Sequence, residues 1–210
     1  MANILVFGDS ITFGFYDTKG GWADRLKKYL LDKSINEKLE HDLKVYNLGI
    51  SGDTSKEIID RFDNETRPRN WTSQETVVII SIGLNDSILI NGKNKIPIKE
   101  SKKNIQLLLK KAKKYSKKIL ITGPTPVEES KVTPMPWSPS ESWRNYNIRK
   151  YNELVKNICK QNKVDYVELF YLFYDNDYKK LLSDGGHPNT QGHEKIFNIV
   201  KNFLEERKYI

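Results

Sequence analysis

The tripeptide Gly8-Asp9-Ser10 closes an apolar run, Ile4-Leu5-Val6-Phe7, whose β-branched and aromatic residues read as a buried strand. A strand ending this way sets a small hydroxyl at the carboxyl edge of a sheet, where ligands bind in open α/β folds. Taken alone, the tripeptide is no more than a turn. A serine hydroxyl is a weak nucleophile at its ordinary pKa. To act, Ser10 needs a base within hydrogen-bond reach, a group that orients the base, and donors for a developing oxyanion.

Candidates for each part lie far along the chain. His187 stands in Asp184-Gly-Gly-His-Pro188, just before the last helical pattern, and imidazole is the side chain that titrates near neutrality. Asp184 can fold back onto the second ring nitrogen. The amides of Ser10 and Gly52, with the side-chain NH2 of Asn85, offer three oxyanion donors. Together these are the roles of an acyl-transfer site, which is recognised by geometry rather than by order in the chain. Each residue also has an ordinary structural use. Gly52 suits a turn, Asn85-Asp86 a helix cap or Asx-turn, Asp184 a turn cap, and His187 an exposed loop. Asp9 is a rival orienter, although an immediate neighbour of a nucleophile generally points elsewhere. His41 reads as surface, and His193 as packing or surface on the last helix.

The elements that must position these residues alternate. Strands are expected at Asn3–Phe7, Lys44–Leu48, Thr76–Ser81, Lys118–Gly123 and Val164–Leu169. Helical spacing appears in Trp22–Leu31, again through Ile58, Ile59 and Phe62, and in a long helix through Ile105, Leu108, Leu109 and Ala112. It recurs through Ile148, Tyr151, Leu154, Val155 and Ile158, and in a C-terminal helix marked by Ile196, Val200, Phe203 and Leu204. Thr54 with Glu57 makes a capping box for the second helix. Strand–helix alternation of this kind implies an α/β fold with a five-stranded parallel sheet and helices on both faces. Parallel strands finish on one side, so Ser10, Gly52 and Asn85 are expected along one edge. The segment 123–143 holds five of the eight prolines, with Trp137 and Trp143, and reads as an irregular loop leaving the fourth strand. No linker or repeat divides the chain, so residues 1–210 are expected to form one domain.

Composition narrows the function class. Hydrophobic residues make up 38% and charged residues 30%, and no apolar run is long enough to span a membrane. Met1-Ala2-Asn3 runs straight into the first strand without the features of a secretory signal, and a single cysteine rules out an internal disulfide. A cytoplasmic location is expected. Cys159 falls on a helical pattern and reads as a small buried hydrophobe. The net charge of +8 allows an anionic partner, but the lysines gather at Lys110, Lys111, Lys113, Lys114, Lys117 and Lys118, near one helix end, where they suit the dipole and solubility. Nothing interleaves aromatic and basic residues as nucleic-acid binders do, so no nucleic-acid partner is expected. The histidines are scattered and no ligand spacing occurs, so neither a metal nor another cofactor is implied.

Gly8-Asp-Ser-Ile-Thr12, Ile50-Ser-Gly-Asp-Thr54, Gly83-Leu-Asn-Asp86 and Asp184-Gly-Gly-His-Pro188 together resemble, in order and across nearly the whole chain, the blocks of the SGNH or GDSL-type hydrolases. The resemblance implies a three-layer α/β/α, flavodoxin-like fold and a serine esterase mechanism. It assigns Ser10 as nucleophile, Gly52 and Asn85 to the oxyanion hole beside the Ser10 amide, and Asp184 and His187 to the rest of a triad. The chain departs from the family name in having Ile11 where leucine follows the serine. Gly185-Gly186 also makes a loose Asp–His turn. The family acts on lysophospholipids, thioesters, aryl esters and acetylated sugars. A short-acyl or acetyl ester, such as that of a carbohydrate, is expected, with the Pro-rich segment as a wall over the pocket or as a structural loop. The rival readings are a thioesterase or lysophospholipase and a non-catalytic binding domain on the same fold.

Overall fold

A computed structural model describes residues 2–36, 43–71, 74–174 and 177–210. Among them the strands are β1 (Ala2–Gly8), β2 (Leu43–Gly49), β3 (Glu75–Ser81), β4 (Leu89–Ile90), β5 (Lys93–Asn94), β6 (Lys118–Thr122), β7 (Glu141–Ser142) and β8 (Asp165–Val167). The α-helices are α1 (Ser10–Phe13), α2 (Gly21–Asn36), α3 (Ser55–Thr66), α4 (Ile98–Ala112), α5 (Glu129–Val132), α6 (Asn145–Asn162), α7 (Phe170–Tyr174) and α8 (Thr190–Glu206). The expected surface position of His41 lies outside the described residues.

The central sheet has the order β2-β1-β3-β6-β8, and every pairing in it is parallel. Strand side chains alternate between faces, and the two cores divide accordingly. Ile4, Val6, Val77, Ile79 and Leu120 pack with Leu26 and Leu30 of α2 and with Ile196, Val200 and Leu204 of α8. Leu5, Phe7, Val78, Ile80 and Ile121 pack with Ile58 and Phe62 of α3, Ile105 and Leu108 of α4, and Val155 and Ile158 of α6. This is the expected three-layer α/β/α arrangement. Cys159 is fully buried in the second core, and burial pushes its thiol up to about 12.

Two expectations need correction. The fifth strand is only Asp165–Val167, because Glu168 turns away from the ladder and its carboxylate accepts from the Tyr171 amide at 3.2 Å, starting α7. The Pro-rich segment 123–143 is not wholly irregular. It contains α5 and β7, and β7 pairs antiparallel with β4, which pairs with β5, in a separate three-stranded sheet. The β4–β5 hairpin turns at Asn91-Gly92, both with positive φ (48° and 79°), the backbone a two-residue hairpin turn requires.

Local chemistry fixes the helix starts at the sheet edge. Asp9 caps α1, its Oδ1 accepting from the Ile11 amide at 2.9 Å. Thr54 caps α3 in a full capping box. Its backbone amide donates to Glu57 Oε2 at 2.9 Å, its hydroxyl also meets that oxygen, and the Lys56 amide donates to Thr54 Oγ1 at 3.2 Å. Thr54→Ala is expected to cost about 1–2 kcal/mol, lowering Tm by roughly 2–8 °C in thermal unfolding.

Burial raises the Asp9 carboxyl to about 6 from an ordinary 3.8. The stability linked to a group raised in the folded state is fully present below its unfolded pKa and is lost as pH rises through the folded one. Asp9→Asn keeps an acceptor for Ile11 and cannot ionise. Its stability relative to wild type is expected to grow by roughly 2–3 kcal/mol between pH 4 and pH 8, read from denaturant titrations at the two values. A gap independent of pH would contradict the shift.

Candidate active site

Ser10 is the first residue of α1, set immediately beyond the buried end of β1. Its Oγ lies 2.9 Å from His187 Nε2, and His187 Nδ1 lies 2.8 Å from Asp184 Oδ2. Since Nδ1 faces a carboxylate, it carries the proton and donates, which leaves Nε2 to accept from the serine hydroxyl. The other Asp184 oxygen accepts from the amides of Gly186 at 2.9 Å and His187 at 2.8 Å. The Gly185-Gly186 turn, which the sequence suggests is loose, is therefore closed on the carboxylate itself. Partial burial alone would raise the Asp184 pKa, but the hydrogen bonds from the His187 ring, the His187 amide and the Gly186 amide outweigh it. They hold the carboxyl below its ordinary range.

Gly52 and Asn85 come from two neighbouring loops. Ile50–Asp53 forms a turn closed by the Asp53 amide on the Ile50 carbonyl at 3.2 Å, with Gly52 at φ +87°. A side chain at Gly52 would meet open space, so it is the left-handed backbone that calls for glycine there. Asn85 opens a short 3₁₀ turn, Asn85–Ser87, and its Nδ2 donates to the Asp53 carbonyl at 3.0 Å. Behind it Asp86 is fully buried, accepting from the Ser55 amide at 2.7 Å and the Ser101 hydroxyl at 2.5 Å; burial raises its pKa.

All five residues singled out in the sequence, Ser10, Gly52, Asn85, Asp184 and His187, line one cavity of about 420 Å³. The structure adds Phe15, Tyr16, Ile88, Lys95 and Glu141 to its lining, beside Met135, Trp137 and Trp143 of the Pro-rich segment. The imidazole sits among four aromatic rings, with centroids 5.3 Å away for Phe15, 5.7 Å for Tyr16, 6.1 Å for Trp137 and 6.0 Å for Trp143. The two tryptophans divide the roles open to the loop. Trp143 is buried, its indole N–H on the Leu84 carbonyl at 3.2 Å, while Trp137 is half exposed at the cavity mouth. The sequence reading missed Phe15 and Tyr16, which their position as an aromatic pair directly after Gly14 could have signalled; Lys95 and Glu141 had no signal, because the small sheet brings them together.

Two polar residues near the site have other work. Asp9 accepts from the Ile11 amide at 2.9 Å and from Asn85 Nδ2 at 3.5 Å and does not touch His187, as expected of a neighbour of Ser10. His193 is fully buried and hydrogen-bonds through Nε2 to the Phe15 carbonyl at 3.0 Å; burial lowers its pKa, so it packs and fixes the loop as a neutral ring. Among the described residues, no helix is long and apolar enough to cross a membrane, and no group of three or more His, Cys, Asp or Glu gathers for a metal.

The sequence model of the GDSL-like lipase/acylhydrolase family matches residues 6–195. The isoamyl acetate-hydrolyzing esterase of Saccharomyces cerevisiae is 24% identical over 219 residues, covering 96% of this chain and 87% of the yeast protein. Among solved structures, the lipase/acylhydrolase from Enterococcus faecalis superposes with a TM-score of 0.75 at 19% identity, covering 99% of this chain and 97% of that one. The acetylxylan esterase Axe2 from Geobacillus stearothermophilus does so with a TM-score of 0.71 at 20% identity, covering 97% and 93%. Taken with the sheet order and the cavity at its carboxyl edge, the match over most of the chain shows that this protein belongs to the GDSL-like lipase/acylhydrolase family, whose members are hydrolases of ester bonds.

Proposed function

We propose that this chain hydrolyses short-acyl carboxylic esters, acetyl esters above all, through an acyl-enzyme on Ser10. The observation that carries the reading is the continuous hydrogen-bond path from Ser10 Oγ through His187 to Asp184, opening on the cavity. Nε2 of His187 takes the hydroxyl proton as Oγ attacks the ester carbonyl carbon. The tetrahedral oxyanion is met by the amides of Ser10 and Gly52 and by Asn85. The Asn85 amide donates to the Asp53 carbonyl at 3.0 Å and, at the longer distance of 3.5 Å, to Asp9 Oδ2; these two acceptors orient its plane, and the long contact to Asp9 is the one the oxyanion replaces. Collapse expels the alcohol, protonated by His187, and water then attacks the acyl-enzyme with the same base. Asp184, ionised, stabilises the imidazolium in both halves.

The cavity's buried wall is Ile88, Met135 and Trp143, at 4%, 1% and 3% exposure, an apolar surface suited to an acyl group. The mouth is different: Phe15, Tyr16 and Trp137 are about half exposed, and Lys95 Nζ stands 3.7 Å from a Glu141 carboxylate oxygen. Aromatic faces beside a polar pair suit an alcohol with both apolar and hydroxyl surface, such as a sugar. The yeast relative is named for isoamyl acetate and the Geobacillus protein for acetylxylan, and acetate is what those two names share.

Ser10→Ala is expected to abolish p-nitrophenyl acetate turnover and fluorophosphonate labelling with Tm retained; turnover surviving in the variant would remove Ser10 from its role. On an ester panel, kcat/KM should fall roughly 10–100-fold from acetyl to octanoyl. A preference for octanoyl would favour a lysophospholipase-type substrate instead. Asn85→Ala should lower kcat about 10²–10³-fold with KM little changed, since that donor acts in the transition state.

A further inference from the structure

Arg61 of α3 does not line the cavity, yet its guanidinium is set in the frame that carries the cavity's donors. Its side chain is 14% exposed. Nε donates to Asp53 Oδ2 at 2.7 Å, Nη2 to the carbonyls of Leu48 at 2.7 Å and Gly8 at 3.2 Å, and Nη1 to Glu65 Oε1 at 3.1 Å. The guanidinium carbon also lies 5.4 Å from the centroid of the Phe7 ring. The two carbonyls sit at the carboxyl ends of β2 and β1, so one planar group ties both strand ends to the Asp53 side chain. A lysine cannot do this, since a single ammonium does not span acceptors laid out for a five-donor fork.

Asp53 is the link to the reaction. Its amide closes the turn that holds Gly52, and its carbonyl accepts from Asn85 Nδ2 at 3.0 Å. Gly8, the second anchor, is two residues from Ser10 and also accepts from the Ile50 amide at 3.0 Å, at the start of the same turn. The contact Arg61 makes is therefore with the residue that borders one oxyanion donor and orients another. Oxyanion donors work only at set distances from the oxygen they stabilise, and a displacement of about 1 Å costs about 10²-fold in rate. We infer that Arg61 is a positioning residue: acting through Asp53, it fixes the Gly52 amide and the Asn85 side chain relative to Ser10 so that they meet the oxyanion together. This rests on the roles proposed above for Ser10, Gly52 and Asn85.

The test is a double-mutant cycle on p-nitrophenyl acetate hydrolysis. Arg61→Met keeps an apolar stem over Phe7 and removes every donor. It should lower kcat about 10–100-fold with KM within about threefold of wild type, at temperatures well below the variant's Tm. In Arg61→Met/Asn85→Ala the loss should be much smaller than the product of the two single losses, because both remove the same placed donor. Arg61→Lys should fail to restore kcat. The inference is overturned if Arg61→Met lowers Tm while kcat stays at the wild-type value, or if the two losses multiply. Should Arg61→Met not fold, Asp53→Asn, which keeps the turn's backbone and loses only the carboxylate charge, carries the same cycle with the same two outcomes. Ser10→Ala is run alongside: turnover in that control breaks the proposed function itself, whereas multiplying losses with a dead Ser10→Ala break only the role of Arg61.

Discussion

Parallel pairing of β1 between β2 and β3 is the constraint on which the site depends. In that ladder Gly8 lies level with Gly49, and Phe7 with both Leu48 and Ile80, so the loops that follow leave the sheet at one height. A slip of one residue would turn Ile4 and Val6 to the wrong core and would also carry Ser10 away from Gly52 by the length of a residue. Core packing and site geometry are thus enforced by the same register. The apolar alternation that fills the two cores is what keeps the polar edge aligned.

His187 reaches that edge by a separate route, from the chain before α8. Asn189 caps α8 with bonds from the Gln191 and Gly192 amides at 3.0 Å and 3.1 Å, and the Ser183 amide bonds the His187 carbonyl at 2.8 Å. On the other side, Asp17 binds Arg25 at 3.0 Å and Thr190 at 3.1 Å, tying the loop that bears Phe15 and Tyr16 to the start of α8. The imidazole is therefore clamped between two anchored segments. Neighbouring carboxyls are sorted by their partners. Asp184 keeps its charge because three donors offset its burial, while Asp9 and Asp86 are raised because theirs do not.

Much of this was legible in the amino-acid sequence, for physical reasons. Long apolar runs such as Thr76–Ser81 announce buried strands, and Thr54 with Glu57 announces a helix start, because both signals are local. The gathering of Ser10, Gly52 and Asn85 followed from strand polarity, that of His187 from its place just before the last helix, with the family resemblance assigning roles. What escaped notice was short or tertiary. The two-residue strands β4, β5 and β7 are too brief for a period-two pattern, and the β4–β7 pairing joins Leu89 to the distant Ser142. One local clue existed, the Asn91-Gly92 turn, flanked by residues too few to read as strands. The network from Arg61 through Asp53 to Asn85 had no sequence signature at all, since a buried arginine on a polar helix face looks like any other.

The small sheet has a consequence of its own. It joins the chain after Asn85 to the end of the Pro-rich segment, so the far wall of the cavity is an appendage hung on the carboxyl rim, sharing no strand with the central ladder. Its exposed Trp137 can change what fits against the serine, whereas Ile88, Met135 and Trp143 of the same wall are held in the core that packs α2 and α8.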